Sequence, residues 1–182
     1  MSLKLIKLRE EHLETVRRWR MMPEVTKYMY TDPQISSEDQ RKWFEKISKD
    51  SSRIYWVISF DDKDVGVINL YDIDMHNKRA FWAYYLGDIT FRGKGIGKNL
   101  ECNIYDFCFD ILNLNKLCCE VLAFNEKVIV LHQKFGSKIE DVFKQHIFKN
   151  GKYYDVVRMA ILKEEWNKIK HQYQYEKIEI EQ

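Results

Sequence analysis

The sequence predicts a mixed α/β domain built around a single sheet. Three observations lead there. Stretches of alternating or β-branched apolar residues are interleaved with stretches of helical period, turn residues mark the junctions, and a glycine-rich loop precedes one long amphipathic run in the second half of the chain. The 182 residues suit one domain, drawn at 1–166, followed by a polar tail at 167–182.

Each element has its own signal. Leu3 to Leu8 alternates apolar and basic residues and reads as an opening strand. Glu10 to Arg20 carries Leu13, Val16 and Trp19 at helical spacing, and Pro23 interrupts the pattern. Ser36 or Ser37 caps a second helix, with Gln40 three residues after Ser37 in a capping-box pattern and Trp43, Phe44 and Ile47 inward. Strands follow at Ile54 to Phe60, Val65 to Ile73 and Arg79 to Leu86, joined by polar turns as a meander. Ile96, Leu100, Ile104, Phe107, Cys108 and Ile111 give one apolar helix face, and Asn115 stops it. Lys116 to Phe124 reads as a buried strand and Asn125 to Phe135 as a helix broken by Gly136, with Val128, Leu131 and Phe135 inward. Ile139 to Lys149 and Tyr153 to Leu162 form a hairpin across Asn150-Gly151. The tail after Trp166 is expected to fray or to add one peripheral element.

Composition narrows the function. A net charge of +2 gives no reason for a nucleic-acid partner. No apolar run approaches the ~20 residues of a membrane span, and the opening residues lack a signal-peptide pattern. Cys102, Cys108, Cys118 and Cys119 show no C-x-x-C spacing, so buried reduced thiols, no metal site and a cytoplasmic location are expected.

The chemistry gathers at Arg92-Gly93-Lys94-Gly95-Ile96-Gly97-Lys98, between a strand and the long helix. Glycines let successive N–H groups point into one concavity, and a helix start adds its positive dipole end, a combination that binds phosphate or pyrophosphate. A Walker loop fails because Asn99 follows Lys98, and a G-x-G-x-x-G fingerprint fails because Lys98 takes the third glycine position. Arg92, Gly95 and Gly97 fit [Arg/Gln]-x-x-Gly-x-[Gly/Ala] instead. This resembles the acetyl-CoA motif of the GNAT superfamily of N-acetyltransferases, and the resemblance covers about residues 3 to 166.

That resemblance implies one central mixed sheet with helices on both faces and strands 4 and 5 splayed apart, with the pantetheine arm in the wedge. It implies acetyl-CoA as co-substrate: N–H groups of Gly93 to Lys98 on the pyrophosphate, main chain at Leu86 on the arm, amides near Leu86 and Gly87 for the oxyanion, the Asn125 side chain beside the arm, and Arg92 and Lys134 among the cofactor residues. Many members carry a tyrosine where this chain has His132, one helical turn before Phe135-Gly136. A histidine there can protonate the departing thiolate or hydrogen-bond the sulfur. Related enzymes often carry a glutamate base in the fourth strand where this chain has Phe81; Glu120 is the next candidate.

A narrower resemblance rests on three stretches: Trp19-Arg20 through Pro23-Glu24-Val25 to Thr31-Asp32, Val65 to Asp74, and Cys119 to Asn125 continuing to Gly136. Together they are similar to the N-acetyltransferases of the pseudaminic acid pathway, whose acceptor is the 4-amino group of a UDP-linked amino-deoxy sugar. Such a ligand calls for cations and aromatic faces. Arg17, Arg18 and Arg20, with Tyr28 and Tyr30, supply them beside the acceptor-covering segment, and Trp82, Tyr84 and Tyr85 line the strand beside the cofactor; Arg20, Tyr30, Trp82 and Tyr84 are the expected substrate residues. Three other readings stay open: a polyamine acetyltransferase drawing on Asp72, Asp74 and Glu38, a protein α-amine acetyltransferase, and a CoA-binding module without catalysis. The sequence also leaves a homodimer open.

Overall fold

Local sequence decides most element boundaries. In a computed structural model that describes residues 2–182, the strands are β1 (Leu3–Lys7), β2 (Ile54–Phe60), β3 (Lys63–Asp74), β4 (Arg79–Leu86), β5 (Lys116–Leu122), β6 (Lys138–Lys149), β7 (Lys152–Leu162) and β8 (Glu179–Ile180). Met1, the first residue of the expected domain 1–166, lies outside the described residues. The strand order is β6-β7-β5-β4-β3-β2-β1-β8. Pairs β1–β2, β2–β3, β5–β7 and β6–β7 are antiparallel, while β4–β5 and β1–β8 are parallel, so the sheet is mixed as expected. By contacts the chain forms two compact units: residues up to Ile73 with Ala83–Ile96 and Ile178–Gln182, and Asp74–Trp82 with Gly97–Lys177.

In the first unit, α1 (Leu13–Arg20) and α3 (Ser37–Ser48) cover β2 and β3. Their apolar stripes supply Val16 and Trp19, backed by Trp43, Phe44 and Ile47, against Leu8, Val57, Val67 and Tyr85. The cap of α3 is Ser36, not Ser37: Ser36 Oγ accepts from the Asp39 N–H at 3.1 Å and Asp39 Oδ2 accepts from the Ser36 N–H at 3.2 Å. Gln40 is thereby released from capping and turns inward, buried, its Oε1 accepting from Arg20 Nη1 at 3.0 Å. The short α2 (Pro23–Thr26) opens on its proline. Two glycines are fixed by space: a Cβ at Gly66 would stand 2.2 Å from the Tyr85 carbonyl oxygen, and one at Gly87 2.1 Å from the Trp19 ring.

In the second unit, α4 (Ile96–Asp106) passes into a π-helical turn, Phe107–Ile111, so the long amphipathic run is one α-helix with a widened last turn. The β6–β7 hairpin turns on Asn150 (φ 51°) and Gly151 (φ 74°), the pair of positive φ values that an Asn-Gly hairpin turn uses. α5 (Glu126–Lys134) buries Ile129 and His132 on its inner face, where the spacing placed Val128 and Leu131, both half-buried; Phe135 is buried just beyond its end.

The tail supplies the peripheral element that was one of its two expected fates, the edge strand β8, and it is packed, not frayed. A boundary at 166/167 falls inside α6 (Lys163–Ile169), and the residues beyond it are packed. Trp166 stacks on Tyr173 and donates through Nε1 to Asp106 at 2.9 Å, and Tyr175 and Lys177 both bond the same carboxylate. The tail is polar by count, but its tyrosines and a cation have a buried partner waiting on α4. Its last residues belong to the first unit, where β8 adds to β1 and Glu181 holds Arg9 through both carboxylate oxygens.

Gly66→Ala is expected to lower stability by about 1–3 kcal/mol, because the added methyl meets backbone that cannot swing aside. The urea unfolding midpoint measures this, and an unchanged midpoint would show that β3 and β4 sit farther apart than described.

Candidate active site

The parallel pairing of β4 with β5 is short. It covers Arg79↔Lys116, Ala80↔Leu117 and Phe81↔Cys118, and among the described residues it ends there; from Cys119 onward β5 continues its pairing with β7. The recorded pairing of strands 4 and 5 thus stops after three residue pairs. Trp82 and Cys119 are the first residues beyond the last pair. The His132 ring lies against Trp82, with centroids 5.3 Å apart, and near enough to Cys119 to feel it electrostatically. His132 thus stands beside the first residues past the last recorded pair.

Around it is a buried polar cluster. His132 Nδ1 meets Glu101 Oε1 at 2.8 Å, the Tyr105 hydroxyl donates to the same oxygen at 2.5 Å, and Ser137 Oγ lies 3.0 Å from that hydroxyl. Glu101 has no exposed surface, and its second oxygen has no partner among the described residues. Burial alone would depress the imidazole pKa. Cys119 and the Glu101 carboxylate act the other way and prevail, lifting His132 from 6.5 to about 10. Burial, then the Glu101 charge, pushes the Tyr105 phenol far upward, so it remains a donor. Burial likewise raises the thiols of Cys102 and Cys118, to about 12 and about 11, and all four cysteines are free.

The glycine loop has the conformation that its sequence implies. Gly93 (φ 80°) and Gly95 (φ 77°) are left-handed and exposed, and α4 begins at Ile96, buried, with Gly97 and Lys98 in its first turn. First-turn N–H groups have no partner within a helix, and left-handed glycines ahead of them turn further amides outward. Arg92 holds the loop down, with Nη2 donating to the Glu24 carbonyl at 2.9 Å and the Leu86 carbonyl at 3.4 Å, while Lys94 Nζ lies 4.3 Å from the Phe91 ring centre.

Other expected residues are placed differently. The Gly87 N–H is bonded to the Val65 carbonyl at 2.9 Å and so is not available to an oxyanion. Glu120 Oε1 accepts from Arg158 Nε at 3.0 Å and Nη2 at 2.5 Å, and that guanidinium lies over Phe81 and Phe143. The carboxylate is committed to an ion pair, so the role of base does not fit it. Trp82 is 1% exposed and packs on Tyr105 and His132, which makes it core and not a ligand-lining face. Tyr30 and Tyr84 are half-buried. Arg17 is held by Glu14 and the Ile35 carbonyl. Asn125 opens α5 with its carbonyl bonded to Val128 and Ile129, and its side chain makes no capping bond. Lys134 is exposed, and its carbonyl accepts from Tyr173.

A second polar group sits in the first unit. Arg20 reaches Gln40 and lies 4.8 Å from the Trp43 ring centre, and Trp43 packs edge-on to Tyr55. The buried Gln40 Nε2 and Tyr85 hydroxyl have no partner among the described residues. Burial pushes the Tyr85 phenol far upward, and it stays neutral. Asp72, Asp74 and Glu38 each face a cation instead, Arg53, Arg79 and Lys42.

Glu101, Tyr105 and Ser137 escaped the sequence reading. Their signal is faint: Glu101, Tyr105 and Cys108 share one helical stripe, so an acid stands on a face that is otherwise buried. Among the described residues no group of three or more His, Cys, Asp or Glu is placed to hold a metal ion, and no helix is long and apolar enough to cross a membrane.

Comparison with known proteins bears on this arrangement. The profile of the acetyltransferase (GNAT) domain family matches residues 2–138. A spermidine N(1)-acetyltransferase of Escherichia coli K12 is 27% identical over 165 residues, covering 91% of this chain and 88% of its own. The acetyltransferase PseH of Campylobacter jejuni strain 81-176 is 27% identical over 134 residues, covering 74% of this chain and 82% of its own. A crystal structure of spermidine N-acetyltransferase from Vibrio cholerae, in complex with CoA and spermine, superposes with a TM-score of 0.86 over 91% of this chain and 98% of that one, at 24% identity, and shows the shared fold.

The raised pKa of His132 makes stability depend on pH. Its contribution is fully present below the unfolded value near 6.5 and is lost as pH rises towards the folded value of about 10. The thermal midpoint of the wild type is expected to fall across that window more steeply than that of His132→Gln; parallel curves would remove the buried imidazolium.

Proposed function

This chain belongs to the GNAT acetyltransferase family, and from that premise we propose that its acceptor is the 4-amino group of a UDP-linked amino-deoxy sugar. The chain is an acetyl-CoA-dependent N-acetyltransferase; the acceptor is the part proposed. The observation that carries it is the group around Arg20. An arginine fixed over an aromatic face, beside a buried amide nitrogen and a buried hydroxyl that lack partners among the described residues, offers donors. Phosphate, uracil and sugar oxygens are acceptors and suit it. A polyamine is a chain of cations and does not, and the three carboxylates expected to receive one are already paired.

The cofactor half follows from the residues present. Acetyl-CoA supplies an activated acetyl thioester. The amides that Gly93 and Gly95 turn outward, with the first turn of α4, receive its pyrophosphate, and Arg92 keeps that loop in place. The Asn125 side chain, free of capping, reaches for the amide groups of the arm. The acceptor amine attacks the acetyl carbon, the carbon–sulfur bond breaks, and His132 gives a proton to the sulfur. We place this reaction in the cytoplasm.

The spermidine acetyltransferase of E. coli, similar over most of the chain, favours the polyamine reading. One assay separates the two: thiol release from acetyl-CoA with the UDP-4-amino-4,6-dideoxy sugar or with spermidine. Turnover of the sugar at a kcat/KM at least about 100-fold above that of spermidine is expected, which is about 2.7 kcal/mol of discrimination; the reverse preference overturns the acceptor assignment. Gly95→Asp should weaken acetyl-CoA binding at least about tenfold in calorimetry, since it sets a negative charge among amides that serve an anion. Arg20→Ala should raise KM for the sugar about tenfold or more and leave acetyl-CoA affinity unchanged.

A further inference from the structure

Glu101 has no part in the reaction so far, yet its burial needs a reason. A carboxylate with no exposed surface, one oxygen shared by His132 and Tyr105 and the other without a partner among the described residues, is costly to bury. The second unit could have closed over an apolar side chain here, as it does at Leu100 and Ile104 on the same helix. The placement makes sense once His132 is asked to act as an acid. A phenol keeps its proton at neutral pH unaided. An imidazole does not: its ordinary pKa is near 6.5, and burial drives it lower. A histidine that donates a proton at pH 7–8 from inside a protein needs an anion behind it, and it needs one ring nitrogen fixed so that the other is free to react.

We propose that Glu101 is the positioning residue of His132: it binds the Nδ1–H, holds the ring in one orientation and keeps it protonated, so that Nε2 delivers the proton to the departing thiolate. This rests on the acetyl-transfer reading and names its hidden partner. The groups facing the ring are Glu101 and Tyr105 from α4, Cys119 from β5, Trp82 from β4, and Ser137 behind Tyr105. Glu101 is the one carboxylate in that set. Tyr105 steadies it by donating to the same oxygen, and Ser137 in turn bonds Tyr105. The proton count balances. The nitrogen–carbon bond forms, the carbon–sulfur bond breaks, sulfur takes the proton from Nε2, and the new amide nitrogen gives its proton to water. His132 is left neutral with Nδ1–H on Glu101, and solvent restores the proton to Nε2.

The test reads the ring directly. In ¹⁵N-histidine-labelled wild type, both His132 nitrogens should remain protonated at pH 8, and in Glu101→Gln the ring should lose its proton at a clearly lower pH than in the wild type. With the UDP-4-amino sugar as acceptor, Glu101→Gln should lower kcat about 100-fold at pH 8, leave the acetyl-CoA Kd within about twofold, and shift the alkaline fall of kcat down by two or more pH units. A neutral His132 in the wild type at pH 8 overturns the proposal, and this arm needs no variant to fold. A variant whose ring deprotonates while kcat and its pH profile stay put overturns it as well, leaving a structural ion pair. Absence of acetyl-CoA binding to the wild type in calorimetry would instead remove the acetyl-transfer reading, and the ring titration would still report on Glu101.

Discussion

A carboxylate withdrawn wholly from water must be answered by its neighbours, and in the second unit the answer is His132 and Tyr105 on one oxygen of Glu101. The desolvation of two opposite charges costs several kcal/mol per ion before their attraction is counted, so this pairing has to be well made. It is: the bonds are 2.8 and 2.5 Å, and Ser137 bonds Tyr105 in turn at 3.0 Å. The rings then spread outward as packing. Tyr105 meets Trp82 and Trp166 edge-on, and Trp166 carries Tyr173 from the tail. The core of this unit is therefore organised around a polar centre, and the tail is docked on the same helix through Asp106.

The end of the recorded pairing between β4 and β5 gives that centre its setting. Three parallel pairs hold the strands together, and the residues that follow, Trp82 and Cys119, are the ones beside His132. A backbone edge deprived of its strand partner still has N–H and C=O groups to satisfy. An extended amide-bearing arm satisfies them as a strand would. His132 stands beside the point where the recorded pairing ends. Its place follows from where pairing stops, which in turn follows from the register Phe81↔Cys118.

The sequence made some of this legible and hid the rest for physical reasons. The Asn150-Gly151 turn was readable because few residue pairs adopt two successive positive φ values. The turn at the glycine loop was readable because Gly93 and Gly95 take positive φ freely. His132 was singled out by its place one helical turn before Phe135-Gly136, and it lies in the buried polar cluster. Glu101 was not, because an acid on an amphipathic helix is ordinarily solvated and nothing local marks it as buried; only its distant partner, 31 residues on, does that. Glu120 misled for the opposite reason. Its strand position suited a base, but Arg158, 38 residues away, already claims it. For the tail, fraying and a peripheral element both stayed open, because average polarity conceals the tyrosines that anchor it.

Local charge, more than total charge, bears on the acceptor. A net +2 spread over 182 residues is nearly neutral and selects nothing. What matters is which sign is left uncompensated where a ligand is to be held. Asp72, Asp74 and Glu38 are each matched by a cation of the same unit, so a polyamine would have to displace existing ion pairs to gain its own. Arg20 is bonded to a neutral amide and lies on an indole, contacts that leave its positive charge in place. The buried donors of Gln40 and Tyr85 beside it are costly while they lack acceptors. An incoming group rich in oxygen and carrying negative charge relieves both conditions at once. An ammonium leaves the Arg20 charge unanswered and adds repulsion to it, and this is the physical ground on which the sugar acceptor is proposed.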